Sequence, residues 1–218
     1  MPIQTLTVGR FELTSIPIQP ESVRPVPQFF PTADPEALEP IRAQLPAAFG
    51  ENASELRFGQ SLCLLRDNDG VTLVDAGLPP TKEDWALMRA LIDLEVRPED
   101  VKRVFITHRD ADHIGGLSDR RKRDGGITFR NARHYISNIE WNDFSRDEAR
   151  REWFENNLRP IHAAGLLEII EAHPLENIAN APEFVPGLKA VFTPGHRSGG
   201  SSLLVDTQRC STADVLHG

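Results

Sequence analysis

The residues Thr107-His108-Arg109-Asp110-Ala111-Asp112-His113-Ile114-Gly115-Gly116 set two imidazoles and two carboxylates into one short stretch. Imidazole and carboxylate together suit zinc, iron or manganese. His108 and Asp110 are two positions apart, so in an extended turn both face one point. Asp112 and His113 face a second point close by. His196, at the end of Thr193-Pro194-Gly195-His196, and Asp214 follow later, each at an expected strand end. These six groups are enough for one cation and most of a second. Two cations would make a bridging hydroxide available at neutral pH and polarise a substrate together. His134, His162, His173 and His217 read as structural or solvent-exposed.

Strand ends must present these groups. Val101–Thr107 is a strand that delivers the dense motif. Before it, Ser61–Arg66 and Val71–Asp75 form a hairpin across Asp67-Asn68-Asp69-Gly70, and the second strand ends in Val74-Asp75-Ala76-Gly77. A carboxylate there is placed to fix neighbouring backbone or to orient a ligand. Gly115-Gly116 are expected to turn the chain into a following helix. Thr81 is expected to open a helix whose apolar face is Trp85, Met88, Leu91 and Ile92, ended by Pro98. Strands are expected at residues 127–129, around His134-Tyr135-Ile136, and at 166–171, 187–193 and 201–206, with a helix from Arg146 to about Arg159. Near the N-terminus, residues 3–18 read as strands turning at Gly9-Arg10. Paired strands punctuated by helices favour packed mixed sheets over a doubly wound parallel fold.

Pro17, Pro20, Pro25, Pro27 and Pro31 predict irregular chain over residues 17–31, with Phe29-Phe30 packing onto the main body. Asp34-Pro35-Glu36 is a helix start, and Pro40 should break that helix into short pieces. Residues 19–56 thus read as an insertion, serving as a lid or a homodimer contact.

The chain has 218 residues and a net charge of −8, which suits a single domain over 1–218 and argues against nucleic acid or an anionic membrane as partner. No apolar run approaches a membrane span, and Met1–Thr5 lacks the start of a signal peptide, so a cytoplasmic protein is expected. Cys63 and Cys210 lie far apart and read as two buried thiols.

Taken together, Thr107–Gly116, Thr193-Pro194-Gly195-His196, Ala213-Asp214 and Val74-Asp75-Ala76-Gly77 resemble the metallo-β-lactamase superfamily, from about residue 58 onward. More weakly, Tyr135-Ile136-Ser137 with Glu140-Trp141, and Pro160–Gly165, look like the branch that includes lactonases and organophosphate hydrolases. The resemblance implies an α/β fold: a four-layer αββα sandwich of two mixed sheets flanked by helices, with the metals at one edge. It places His108, Asp110 and His196 on a first cation, Asp112 and His113 on a second, and Asp214 as a bridge. Asp112 and Asp214 would be the catalytic carboxylates, Asp112 moving a proton to or from water and leaving group.

The chain departs from the family pattern in three ways. Asp110 stands where most relatives have His, which shifts preference from zinc toward iron or manganese. Gly200 is near the place of the usual second His after Thr193–His196. The family continues beyond the position of Gly218 through a further strand and helix to a last His ligand. The implied function is hydrolysis of a small-molecule lactone, ester, thioester, amide or phosphoester with one or two Zn2+ ions. The alternatives are a di-iron redox module, suggested by Asp110, and a non-catalytic metal-binding sandwich.

Overall fold

The structure is a computed structural model and describes residues 3–119, 121 and 126–206. Asp214, His217 and Cys210 lie outside the described residues. Among the described residues two compact units emerge, one of residues 17–61 with Ile3, the other drawn from residues 4–16 and 62–206.

The larger unit is built on β1 (Gln4–Val8), β2 (Phe11–Pro25), β3 (Glu55–Asp67), β4 (Gly70–Val74), β5 (Val101–Ile106), β6 (Arg133–Ser137) and β7 (Leu167–Ile170), which form one seven-stranded sheet in that order. The outer parts of β2 and β3 belong to the smaller unit. Gly9-Arg10 makes the two-residue turn between β1 and β2, with Gly9 at φ 60°. Asn68-Asp69 makes the corresponding turn between β3 and β4, and the Asp67 carboxylate accepts the Asp69 N–H at 3.0 Å. From β4 to β7 the pairing is parallel, so these strands end on the same sheet edge. A second, smaller sheet has the order β10 (Ser201–Val205), β9 (Leu188–Phe192), β8 (His173–Pro174), with one antiparallel and one parallel pairing. Both sheets are therefore mixed, as expected.

Side chains alternate across a strand, and that alternation divides the core. Phe11, Leu65, Phe105, Tyr135 and Ile170 from the large sheet meet Leu188 and Ala190 from the small one. The opposite face carries Leu64, Leu73, Val104, Ile106 and Ile136, all buried, and is covered by helices. Those helices are α3 (Ala86–Asp93), α5 (Asn138–Ser145), α6 (Arg151–Asn157) and α7 (Arg159–Ala163); a short α4 (Ala111–Ile114) lies inside the metal motif. No helix among the described residues is long and apolar enough to cross a membrane.

Several local expectations change. The chain extended by β2 passes straight through Pro17 and Pro20. β1 stops pairing at Ser15, so past that point one side of β2 has no β1 ladder and a proline there need lose no hydrogen bond. In the smaller unit, α1 (Val26–Phe29) follows, and α2 (Pro35–Gln44) runs unbroken through Pro40. Its exposed position lets water satisfy the carbonyl that proline leaves without a donor. Phe29 stacks on Phe58 at 4.9 Å within that unit, and Phe30 is exposed.

The Thr81 hydroxyl accepts the Asp84 N–H at 2.9 Å, but the chain is extended again at Trp85 and α3 begins only at Ala86. Its buried residues are Leu87, Ala90 and Leu91, whereas Ile92 is exposed. The expected helix over 146–159 is divided into a 3-10 turn at Glu148–Arg150, α6 and the start of α7. At 127–129 only a single bridge, Ile127 to Ser118, replaces the expected strand.

His134 points from β6 into the helix-covered face and is completely buried. Its ring nitrogens lie near the Leu166 and Ala132 carbonyls without forming a well-made hydrogen bond to either. Burial lowers its pKa from 6.5 to about 4. Between those values the unfolded chain takes up the proton and the folded chain does not, so stability falls as pH falls through that window. The loss attributable to this group reaches about 3 kcal/mol. Urea melts of the wild type and His134→Leu at pH 7, 5.5 and 4 should show a shallower pH dependence in the variant; parallel curves would contradict this assignment.

Candidate metal centre

β4 ends at Val74, and the next residue, Asp75, takes a left-handed backbone with φ 63°. Its N–H bonds to the Phe105 carbonyl at 2.8 Å, tying the end of β4 to β5. Its nearly buried carboxylate then accepts three bonds: from the Thr107 N–H at 2.8 Å, from the Thr107 hydroxyl at 2.7 Å and from His113 Nδ1 at 2.7 Å. Because the Thr107 hydroxyl donates to Asp75, it accepts from His108 Nδ1 at 2.9 Å. Both imidazoles are thereby held with Nδ1 protonated and Nε2 bearing the lone pair, which is how a carboxylate commonly prepares a histidine ligand.

His108 Nε2 is buried with no hydrogen-bond partner. Burial, then the neighbouring His113, lowers the His108 pKa to about 4, so the ring is neutral at pH 7. Burial pulls His113 the same way, but its hydrogen bond and charge pairing with Asp75 outweigh burial and raise it. The two ring centres are 3.8 Å apart.

Past His108, the Arg109 N–H bonds the Glu140 carboxylate at 2.8 Å, and the Arg109 guanidinium pairs with the same carboxylate at 3.2 Å. Glu140 sits in the first turn of α5, capped by the Ser137 hydroxyl, and its side chain is completely buried. Its pKa is raised by burial even against the Arg109 charge. This pair fixes the loop that carries Asp110.

The turn between β9 and β10 brings His196. It docks through the Ser201 N–H to the Thr107 carbonyl at 3.1 Å and the Ser137 hydroxyl to the Gly199 carbonyl at 3.0 Å. A Cβ on Gly199 would lie 2.4 Å from Glu140 backbone, so only glycine permits this approach. His196 is largely exposed and its Nε2 lies 2.8 Å from Asp110 Oδ2. The ligand atoms of His108, Asp110 and His196 all fall within 4.8 Å of one another. A buried imidazole nitrogen lacking a partner, beside a carboxylate and a second imidazole, is a donor set that fits a transition-metal cation. Beneath it, His108, His113 and His196 line a cavity of about 280 Å³.

The second expected group is looser. Asp112 lies in α4, 39% exposed in its side chain, with its carboxylate 3.6 Å from His113 Nε2. These two residues do not join the close trio. Gly115 and Gly116 do not turn the chain into a helix; they follow α4 and form a 3-10 turn. Their role is close approach. A Cβ on Gly116 would sit 2.1 Å from the Ala76 carbonyl oxygen, and one on Gly115 would sit 2.5 Å from Pro79. Cys63, half-buried, has its thiol pKa pushed up to about 11 by burial, which makes it inert.

The sequence did not signal Arg150 or Arg197. Arg197 Nε and Nη2 reach Asp110 Oδ1 at 2.8 and 2.7 Å, and Arg150 Nη1 bonds the same oxygen. Burial works against the charged carboxylate, but these bonds and that of His196 hold Asp110 well below the usual carboxylate range. Arg197 directly follows His196, a ligand expected from the sequence, which is a weak signal. Arg150 is 40 positions from Asp110 and has none.

The chain belongs to the metallo-beta-lactamase superfamily, whose sequence pattern matches residues 56–210. An N-acyl homoserine lactonase of Bacillus cereus is 27% identical over 169 residues, covering 67% of this chain and 58% of that protein. The chain thus spans somewhat over half the length of that relative. Two solved structures share the fold at 18% identity. The dizinc quorum-quenching lactonase AidC, in complex with a product, has a TM-score of 0.69 over 95% of this chain and 71% of its own. The hydrolase AbOPH has a TM-score of 0.72 over 95% and 70%.

Two substitutions test this geometry. Asp75→Asn cannot accept from all three donors at once and should weaken cation binding roughly 10–100-fold, measured by competition with a chromogenic chelator; an unchanged affinity would refute the orienting role. Gly116→Ala, forced against a backbone carbonyl, should cost about 1–3 kcal/mol or more in urea melts; an unchanged midpoint would refute the close approach.

Proposed function

We propose that this chain serves a metal-dependent hydrolase acting on a small-molecule lactone or ester, with thioesters, amides and phosphoesters as the wider class. The observation that carries the reading is the convergence of His108, Asp110 and His196, with the buried Nε2 of His108 turned toward the other two. Membership of the superfamily and the lactonase relative support it. Zinc suits two imidazoles and a carboxylate, and the carboxylate also admits iron or manganese.

Such a cation, when bound, supplies an activated water and polarises the substrate carbonyl. The chain's own residues do the rest. Asp75 and Thr107 keep the histidine lone pairs facing outward. Asp112, exposed beside His113, can take a proton from the attacking water and return it to the leaving group. Asp112 and His113 would hold a second cation, and Asp214 is proposed from the sequence as the bridge. The two arginines on Asp110 favour a second reading, in which they oppose cation binding and the site is a metal-poor, non-catalytic one.

Purified protein loaded with Zn2+ and assayed on a panel of aryl esters and lactones separates these readings. At least one tightly held ion per chain is expected by elemental analysis. His108→Ala should lower both bound metal and kcat/KM by about 100-fold or more. Hydrolysis that survives complete chelation would sink the proposal.

A further inference from the structure

Arg150 and Arg197 form an arrangement that cation binding alone does not explain. Both guanidiniums converge on one oxygen, Asp110 Oδ1, while the other oxygen faces His196. Cationic neighbours keep a ligand carboxylate ionised, but they also repel the ion it is meant to hold. One arginine would already balance the Asp110 charge. Arg109, the third arginine nearby, is matched by buried Glu140. Asp147 lies within ion-pair range of two of them, 3.9 Å from Arg150 Nε and 3.6 Å from Arg109 Nε. Arg150 and Arg197 both border the same cleft of about 430 Å³, together with Arg109, Asp112 and Trp153. The bonds to Asp110 engage one N–H of Arg150 (Nη1) and two of Arg197 (Nε and Nη2), so each guanidinium keeps further donors at the cleft. Set side by side, the two guanidiniums match an oxyanion, which such groups bind through paired N–H donors.

We infer that Arg150 and Arg197 form a subsite for a permanent oxyanion carried by the substrate, a carboxylate or phosphate set a short distance from the bond that is cleaved. The inference rests on the proposed hydrolase reading and names its substrate class: anionic esters or lactones rather than purely apolar ones. Trp153, on the cleft wall, would flank the chain joining the anion to the reacting carbonyl.

The test uses Zn2+-loaded protein and two ligand pairs. In calorimetry, adipate should bind at least tenfold more tightly than hexanoate, because only adipate places a second carboxylate on the arginines. Arg150→Gln with Arg197→Gln should abolish that advantage, and the corresponding lysine variants should restore part of it. In turnover, the phenyl monoester of adipate should have a KM at least tenfold below that of phenyl hexanoate, and the glutamine variants should erase the ratio. Thermal melts of the variants report whether the fold is intact, and the lysine pair carries the comparison if the glutamine pair unfolds. No adipate advantage in the wild type, or equal loss for hexanoate and adipate, overturns the inference; the second result would place the arginines on the product carboxylate. An adipate advantage with neither ester cleaved keeps the subsite and sinks the hydrolase reading. Cleavage of both esters with equal KM does the reverse.

Discussion

Everything in the site hangs on the Asp75 carboxylate. It accepts from the backbone and hydroxyl of Thr107 and from the ring of His113, so one side chain ties the end of β4 to the end of β5 and to α4. Its backbone is left-handed, a conformation that costs a non-glycine residue about 1 kcal/mol or more. The three bonds offset that cost. They also do something packing cannot do, which is to choose a tautomer. With Nδ1 of both imidazoles committed to the Asp75–Thr107 pair, Nε2 is the only lone pair each ring can present.

A second constraint comes from the other side of the sheet edge. Parallel pairing from β4 to β7 gathers the strand ends along one edge, where loops can be recruited into a site. The β9–β10 turn reaches that edge by hydrogen bonds to Thr107 and Ser137 and by pressing Gly199 against Glu140. Glu140 in turn holds Arg109. His196 is thus positioned in part by Thr107, which also holds His108, even though its own side chain is mostly exposed. Rigidity comes from the backbone docking around it.

What could be read from the sequence follows the range of the interactions. The hairpins at Gly9-Arg10 and Asn68-Asp69 and the strands that lead into Asp75, Thr107 and Ser137 are local patterns of residue type, and the structure places them much as expected. The role of Gly115-Gly116 was misread because a glycine's need for space depends on Ala76 and Pro79, which come from a different segment. The strand through Pro17 and Pro20 was misread because proline is disfavoured in a ladder only on the side that is paired, and pairing is a tertiary fact. The α3 face shifted because the turn at Thr81 delays the helix to Ala86, which rotates the buried stripe. Arg150 left no legible trace and Arg197 only a weak one, since a surface arginine is commonplace until its partner is known.

Asp110 is where these lines meet. A histidine at that position would be a neutral ligand and would give no cause for guanidiniums to gather. A carboxylate brings a negative charge into a largely buried place, and burial alone would favour its protonation. The arginines and His196 reverse that and keep it ionised, hence able to coordinate. Its two oxygens divide the work: Oδ1 takes Arg150 and Arg197, while Oδ2 faces His196 and His108.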